Sequence, residues 1–211
     1  TMDENTYKTE FLADFVSTGS RAAYNFDRKI HVKQAEELTA NLFWGMDFNV
    51  MHMTSVLGCS YSDGSIHYFS EIRQSNSNTE QLAIAMKKIA PGINIYPDAT
   101  GSARSTTSNK SDHQILIDHG FNVIAKKVNP PIIDRINALN RMLVDANGKI
   151  RMTVDPKCTY LIKDLEQVQR SRDGKIEKLK DITLSHAFDA CSYYIALTNP
   201  LVKRSVMSSQ W

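Results

Sequence analysis

The sequence lacks the motifs of a structural zinc site and of a P-loop ATPase. Its three cysteines are far apart, and none lies in a CxxC pair or another Cys/His ligand spacing: they are Cys59, Cys158 and Cys191. We therefore expect no structural zinc ion and interpret the cysteines as reduced thiols of a cytoplasmic protein. Because GxxxxGK[ST] occurs nowhere in the chain, it cannot hydrolyse ATP with P-loop machinery.

Long apolar runs and a large net charge are also missing. No apolar run approaches the roughly 20 residues that span a bilayer, and the acidic, polar first residues are unlike a secretory signal, so we expect no membrane partner. The net charge is only +2, so a DNA-binding surface would have to come from local clusters of basic residues. A length of 211 residues suits one substantial domain rather than two.

The order of the predicted elements indicates an α/β fold. Residues 1–40 are interpreted as a linker or extension from a missing domain, and residues 41–211 as the folded domain. In the latter, residues 42–50, 51–61 and 66–72 predict three antiparallel strands. Helices then alternate with short strands at residues 93–97, 121–125 and 149–154. A helix at 159–169, a hairpin at Asp173-Gly174 and a last helix at 184–197 follow. This order predicts a mixed sheet, antiparallel first and parallel later, with helices on both faces.

Three aspartates occupy unusual positions in these elements. Asp47 lies within the apolar first strand, Asp98 directly follows the fourth strand, and Asp189 lies in the apolar last helix. A buried carboxylate is unfavourable unless it is paired or binds a metal. His186 precedes Asp189 by three residues and so shares its helical face. Each position alone also has an ordinary explanation, namely an exposed edge, a turn or a satisfied core pair.

Taken together, the three carboxylates predict a metal site. They would converge if the first and fourth strands were neighbours and the last helix crossed their ends. Cations would relieve the repulsion between them, and hard oxygen ligands favour Mg²⁺ or Mn²⁺. Two such ions about 3.5–4 Å apart hold a scissile phosphate, one activating the attacking water and the other stabilising the leaving oxygen.

Several stretches of the chain resemble one known family, and they occur in the family's order. They are Trp44-Gly45-Met46-Asp47, Ile95-Tyr96-Pro97-Asp98-Ala99, Ser185-His186-Ala187-Phe188-Asp189-Ala190 with Tyr193, and residues 7–32, 133–140 and 147–150. These stretches, which together cover nearly the whole chain, resemble the ribonuclease-H-like nuclease domain of the large terminase subunit of tailed bacteriophages of the headful-packaging type. By this resemblance Asp47, Asp98 and Asp189 match the family's metal-binding acids, and His186 matches a histidine beside the last acid.

The resemblance also implies an activity, partners and a location. The family comprises Mg²⁺- or Mn²⁺-dependent endonucleases, which cut concatemeric double-stranded viral DNA to start packaging and again when the head is full. It implies an ATPase domain in the same full-length chain, with the portal protein and the small terminase subunit as further partners. The implied location is the host cytoplasm and, transiently, the portal of the procapsid.

Basic residues near the acids in sequence are candidate contacts to DNA phosphates. They are Arg104, Lys110, Lys127, Arg135, Arg170, Arg172 and Lys175. The densest group surrounds Asp173-Gly174, and we interpret it as a basic hairpin that reaches over DNA or regulates access to the metals.

Two alternatives remain open at this point. Another ribonuclease-H-like enzyme, such as a junction resolvase, a transposase or a ribonuclease H, would use the same acids on a different substrate. A non-catalytic module of this fold would bind DNA or a partner protein without cleavage, although the intact acidic triad argues against it.

Overall fold

Six strands form one mixed sheet. The computed structural model describes residues 21–49, 51–103, 110–171, 176 and 182–200. The strands are β1 (Leu42–Asp47), β2 (His52–Ser60), β3 (Ile66–Ser75), β4 (Asn94–Pro97), β5 (Asn122–Val123) and β6 (Met152–Val154). Their order across the sheet is β5-β4-β1-β2-β3-β6. β1, β2 and β3 pair in antiparallel fashion, and β4, β5 and β6 are each parallel to their neighbours, which confirms the predicted mixed sheet.

Helices cover both faces of this sheet, as predicted. They are α1 (Arg28–His31), α2 (Thr79–Ile89), α3 (Asp112–Asp118), α4 (Ile132–Leu143), α5 (Thr159–Gln167) and α6 (His186–Thr198), with a 3₁₀ turn at Ala99–Ser102. Since side chains alternate along a strand, Phe43 of β1 enters the core under α4, α5 and α6, whereas Trp44 enters the second core under α2 and α3. Apolar side chains therefore pack against both faces of the sheet and hold its strands in place.

Two parallel strands are shorter than the sequence predicts. Residues 121–125 and 149–154 have strand-like composition, but only Asn122–Val123 and Met152–Val154 form strands. The second difference has a local cause, because Lys149 closes a tight turn: its N–H donates to the Asp145 side chain, and Gly148 has a φ of 77°. The predicted hairpin turn at Asp173-Gly174 lies outside the described residues, although Arg170 and Ile176 on either side of it form an antiparallel bridge.

The described part of the predicted N-terminal extension packs onto the sheet domain. Ala22, Ala23 and Phe26 are buried in the core under α4, α5 and α6. The Ala22 N–H donates to the Val168 carbonyl over 2.8 Å, and a parallel bridge joins Val32 to β6. Residues 21–32 therefore contribute to the stability of the sheet domain, and the boundary at residue 40 stays a prediction. Among the helices described, none is long and apolar enough to cross a membrane.

Candidate active site

The sheet places Asp47 and Asp98 side by side, as the sequence predicts. β1 and β4 are parallel neighbours, with Met46 in register with Pro97. One residue further along, the Asp98 N–H donates to the Met46 carbonyl over 3.1 Å, which continues the pairing past the end of β4. Both carboxylates therefore leave the sheet at the carboxyl ends of adjacent parallel strands, where α/β sheets form ligand sites.

A glycine allows α6 to cross β1 at very close range. A methyl group added to Gly45 would lie 2.1 Å from the backbone carbonyl oxygen of Ala190, far inside van der Waals contact. The Tyr68 hydroxyl donates to the Cys191 carbonyl over 3.0 Å and holds the same turn of the helix on the sheet. This contact places the first turn of α6, with His186 and Asp189, above the end of β1.

His186 is directly hydrogen-bonded to Asp47. Its Nδ1 lies 2.9 Å from Oδ2 of Asp47, and its Nε2 lies 3.1 Å from the Ile182 carbonyl oxygen. Since that carbonyl only accepts, Nε2 carries a proton, and a second proton must lie between Nδ1 and the carboxylate. Asp47 is 8% exposed, and this burial raises its pKa despite the neighbouring His186. Burial acts to lower the pKa of His186, but the hydrogen bond and the charge of Asp47 outweigh it and raise that pKa. The pair therefore holds its shared proton more tightly than the two isolated groups would.

Asp98 is held in its ionised form by hydrogen bonds. Its Oδ1 accepts from the Thr100 N–H and from Nδ2 of Asn129, both over 2.7 Å. Its Oδ2 accepts from the Tyr193 hydroxyl over 2.8 Å. Burial alone would raise the pKa of Asp98, but these bonds together outweigh it and lower that pKa.

Asp189 forms a buried ion pair with Arg135 of α4. The Arg135 Nη1 lies 2.6 Å from Oδ1 of Asp189 and 2.7 Å from Oγ of Ser192. The guanidinium also lies over the Tyr193 ring, with 4.6 Å between its central carbon and the ring centroid. Burial raises the pKa of Asp189 to about 6, although Arg135 opposes the shift, and repulsion from Asp47 adds to it.

The three acids have the donor chemistry of a site for a hard divalent cation. Asp47 and Asp189 repel each other, as do Asp47 and Asp98, and two of the three carboxylates have raised pKa values. Within the described ranges, no three His, Cys, Asp or Glu side chains surround a single point closely enough to hold a metal ion. Asp98 and Asp189 hydrogen-bond to Tyr193 and Arg135 instead. An ion would exchange those partners for its own charge and relieve the repulsion.

The predicted DNA contacts fall into different surroundings. Arg135 is 5% exposed and pairs with Asp189, so its position is that of a site residue rather than of a surface contact. Lys127 is exposed two residues before Asn129. Lys110 precedes α3 and pairs with Asp118, the last residue of that helix. Arg170 lies over the Tyr24 ring at 5.2 Å. Arg104, Arg172 and Lys175 lie outside the described residues.

The structure also shows site residues to which the sequence interpretation gave no role. Tyr193 follows Asp189 by four residues on α6, so helical spacing already places both on one face, and its hydroxyl reaches Asp98. Asn129 and the pairing of Arg135 with Asp189 join distant segments, and no local pattern indicates them. An open cavity of about 510 Å³ lies at the other end of the sheet, beside Lys33, Tyr61 and Arg151, and includes none of the three acids.

Comparison with known proteins agrees with this geometry. The family model of the terminase RNaseH-like domain matches residues 44–197, which include all three aspartates and His186. No curated protein sequence matches the chain. The nuclease domain of the P22 large terminase is 17% identical, with a TM-score of 0.66 over 84% of this chain and 93% of that one.

Two further solved structures share the fold. The large terminase of a thermophilic bacteriophage, solved in complex with ATP-gamma-S, is 15% identical, with a TM-score of 0.64. That match covers 84% of this chain but only 45% of the thermophilic phage protein. The nuclease domain of the large terminase from bacteriophage SPP1, solved with bound Mn, is 15% identical, with a TM-score of 0.50 over 80% of this chain and 96% of that one. The chain therefore belongs to the family of terminase ribonuclease-H-like domains.

Proposed function

We propose that this domain is a metal-dependent endonuclease that cuts concatemeric double-stranded viral DNA during genome packaging. The observation that carries the proposal is the repulsion of Asp47 by both Asp98 and Asp189 at one end of the sheet, where Asp47 and Asp189 have raised pKa values. Carboxylates that repel one another in this way are typical of a site that is completed by cations. Membership of a family with solved nuclease domains supports phosphodiester hydrolysis as the reaction.

Asp47, Asp98 and Asp189 would hold the ions, and Mg²⁺ or Mn²⁺ suits their oxygen atoms. The Mn bound to the SPP1 nuclease domain supports this choice. When bound, a pair of such ions supplies an activated water and stabilises the oxygen that leaves the phosphate.

The remaining site residues orient the acids and hold protons. Arg135 fixes one oxygen of Asp189 and balances its charge, which limits repulsion before substrate arrives. Tyr193 fixes one oxygen of Asp98, and it also stacks against Arg135, so the orientations of the two acids are linked. His186 holds a proton beside Asp47, and its orientation is fixed by the Ile182 carbonyl.

The DNA would lie across the end of the sheet that carries the acids. Lys127 and Lys110 each lie within three residues of a side chain that contacts Asp98, namely Asn129 and His113. With Arg170, and with Arg104, Arg172 and Lys175 as further candidates, they would contact phosphates on either side of the cut.

One solved relative is longer than this chain and indicates a first partner. This chain matches 45% of the thermophilic phage terminase, which was solved with ATP-gamma-S, so an ATPase domain in the same full-length chain is the first proposed partner. The portal protein and the small terminase subunit are further proposed partners. The proposed location is the host cytoplasm and, during packaging, the portal of the procapsid.

A panel of nucleic acids tests the substrate class. Equal concentrations of linear duplex DNA, a four-way junction and an RNA–DNA hybrid are incubated with the domain in Mg²⁺, in Mn²⁺ or in EDTA. We expect cutting of duplex DNA with either metal and none in EDTA. Exclusive cutting of the junction or the hybrid would favour another ribonuclease-H-like activity, and metal-independent binding of DNA without any cutting would favour a binding module.

A further inference from the structure

A fourth aspartate, outside the three that converge, contacts the helix that carries His186 and Asp189. Asp164 of α5 is 1% exposed. Its Oδ2 accepts hydrogen bonds from the N–H groups of Ala187 and Phe188, over 2.9 Å and 3.0 Å. Both donors belong to the first turn of α6, between His186 and Asp189.

This contact replaces the cap that α6 does not supply itself. The first N–H groups of a helix have no partner within the helix and are usually bound by the side chain of the preceding residue. Here that residue is Ser185, which has a left-handed φ of 80° and makes no capping bond with its side chain to any described residue. Asp164 therefore caps α6 from a neighbouring helix, and its negative charge is placed where the helix dipole favours it.

A second carboxylate contact of this kind holds the start of α5 on the sheet. Glu71 of β3 accepts hydrogen bonds from the Tyr160 and Leu161 N–H groups, over 2.8 Å and 2.9 Å, at the first turn of α5. One carboxylate thus fixes the start of α5 on the sheet, and a second carboxylate on α5 fixes the start of α6. The position of α6 relative to Asp47 is therefore set from β3 through α5, in addition to the close contact at Gly45.

The precision of this first turn matters for the acids. His186 lies immediately before the two capped residues and Asp189 immediately after them, and His186 contacts Asp47 over 2.9 Å. A carboxylate that binds a cation must be held to within a fraction of an ångström, so a frayed first turn would misplace two site residues at once.

We propose that Asp164 is a positioning residue: it fixes the first turn of α6 so that His186 and Asp189 face Asp47, and thereby sets the affinity of the site for divalent cations. The effect on cation affinity rests on the proposed metal-dependent function. The effect on the first turn of α6 does not, and it can be measured without metal.

Three variants of the isolated domain test this role. Asp164→Ala removes the cap, and Asp164→Asn keeps an acceptor oxygen without the charge. Leu165→Ala destabilises the same buried helix but leaves the Asp164 carboxylate in place, so it serves as the control for a merely structural loss. The readouts are amide exchange of Ala187 and Phe188, the NMR signals of the His186 ring, and the dissociation constant of Mn²⁺, all measured below the unfolding transition.

We expect Asp164→Ala to speed exchange of both amides at least tenfold, to shift the His186 ring signals, and to weaken Mn²⁺ binding about 10- to 100-fold. Asp164→Asn should fall between this variant and the unaltered domain, because a neutral acceptor caps more weakly. Leu165→Ala should leave all three readouts unchanged. If Asp164→Ala does not fold, Asp164→Asn is compared with Leu165→Ala instead, and a change of the three readouts in Asp164→Asn alone supports the proposal.

Two results would overturn the proposal. One is an Asp164 variant with unchanged amide exchange and unchanged His186 signals. The other is an equal loss of Mn²⁺ affinity in Leu165→Ala. If the unaltered domain binds no Mn²⁺ at all, it is the proposed nuclease function that fails, and the amide exchange and His186 signals still decide whether Asp164 positions the turn.

Discussion

The Nδ1 atom of His186 lies 2.9 Å from Oδ2 of Asp47, and these residues are 139 positions apart in the chain. The contact joins the end of the central strand to the first turn of the last helix. Because Asp47 lies on β1 and Asp189 lies in the same helical turn as His186, the contact fixes these two acids relative to each other.

Removal of His186 should change the titration of Asp47. The hydrogen bond and positive charge of His186 lower the pKa of Asp47, against the stronger effect of burial. We therefore expect His186→Ala to raise the pKa of Asp47 further in the metal-free domain, as measured by carbon NMR of the carboxyl group. DNA cleavage should fall about 10- to 100-fold, the usual effect of losing a residue that orients a metal ligand. His119→Ala, which removes a histidine paired with Glu80 on α2, is the control and should change neither value.

Removal of Arg135 should destabilise the domain in a way that a cation partly reverses. Breaking a buried ion pair on one side costs about 3–5 kcal/mol, because the partner charge is left uncompensated. Arg135→Ala should lower the free energy of unfolding by about this amount, and Mg²⁺ should raise the melting temperature more in the variant than in the unaltered domain. Arg141→Ala on the same helix, whose guanidinium donates to the Asn199 carbonyl, is the control.

The same variant distinguishes a site residue from a DNA contact. The salt dependence of DNA binding is the slope of the logarithm of the binding constant against the logarithm of the salt concentration. If Arg135 were a surface contact to phosphate, its loss would reduce this slope by about one. We expect an unchanged slope, because Arg135 is buried and paired with Asp189.

A methyl group at position 45 should move α6 away from β1. The added carbon of Gly45→Ala would lie 2.1 Å from the Ala190 carbonyl oxygen, so the helix must shift. We expect a loss of stability of about 1–3 kcal/mol or more and a larger loss of cleavage than stability explains. Gly120→Ala strains a backbone with φ 90° and contacts nothing within 4 Å, so it should cost stability and leave cleavage intact at low temperature. Equal cleavage losses in the two variants would argue against a positioning role for this contact.

Asp164 should make the metal-free domain more stable at mildly acidic pH. Burial raises the pKa of Asp164 to about 6, from an ordinary value of 3.8. The folded state then binds a proton that the unfolded state does not, so this contribution to stability grows as the pH falls from about 7 to about 4. A pKa shift of about two units corresponds to a difference on the order of 3 kcal/mol over this whole range, of which roughly half develops between pH 7 and pH 5. Denaturant titrations between pH 5 and pH 7 should show a weaker pH dependence for Asp164→Asn than for the unaltered domain, and an identical dependence would contradict the assignment.

Sequence patterns were sufficient to predict that Asp47 and Asp98 lie on neighbouring strands, because the signals for those strands are local. The sequence itself shows one carboxylate in the apolar strand Leu42–Asp47 and another directly after Asn94–Pro97. The order of elements predicts that these two strands are neighbours. The sequence even contains the glycine at position 45 that lets the last helix approach, although only the packed structure shows what that glycine faces.

The partners of the acids were not predictable in the same way. Arg135 was interpreted as a DNA contact because it is one of the basic residues near the acids in sequence, and only the packing of α4 against α6 shows that it meets Asp189. Asp164 lies in a helical stretch where an acid is common, and its contact is with a backbone 23 residues away. Such contacts depend on how helices are stacked, and sequence spacing does not encode that.

Cleavage of supercoiled plasmid by the unaltered domain and by Asp47→Ala tests the central claim that these acids form one metal-dependent catalytic site. Micromolar protein is incubated with Mg²⁺, with Mn²⁺ or with EDTA, and Glu36→Ala, which removes an exposed acid outside the site, is the control. We expect nicked and linear products with metal only, unchanged in the control and reduced in Asp47→Ala by more than the roughly 100-fold that marks residues which merely orient metal ligands. Metal-dependent cutting that survives in a folded Asp47→Ala protein would contradict the account, because it would place the reaction at a different site.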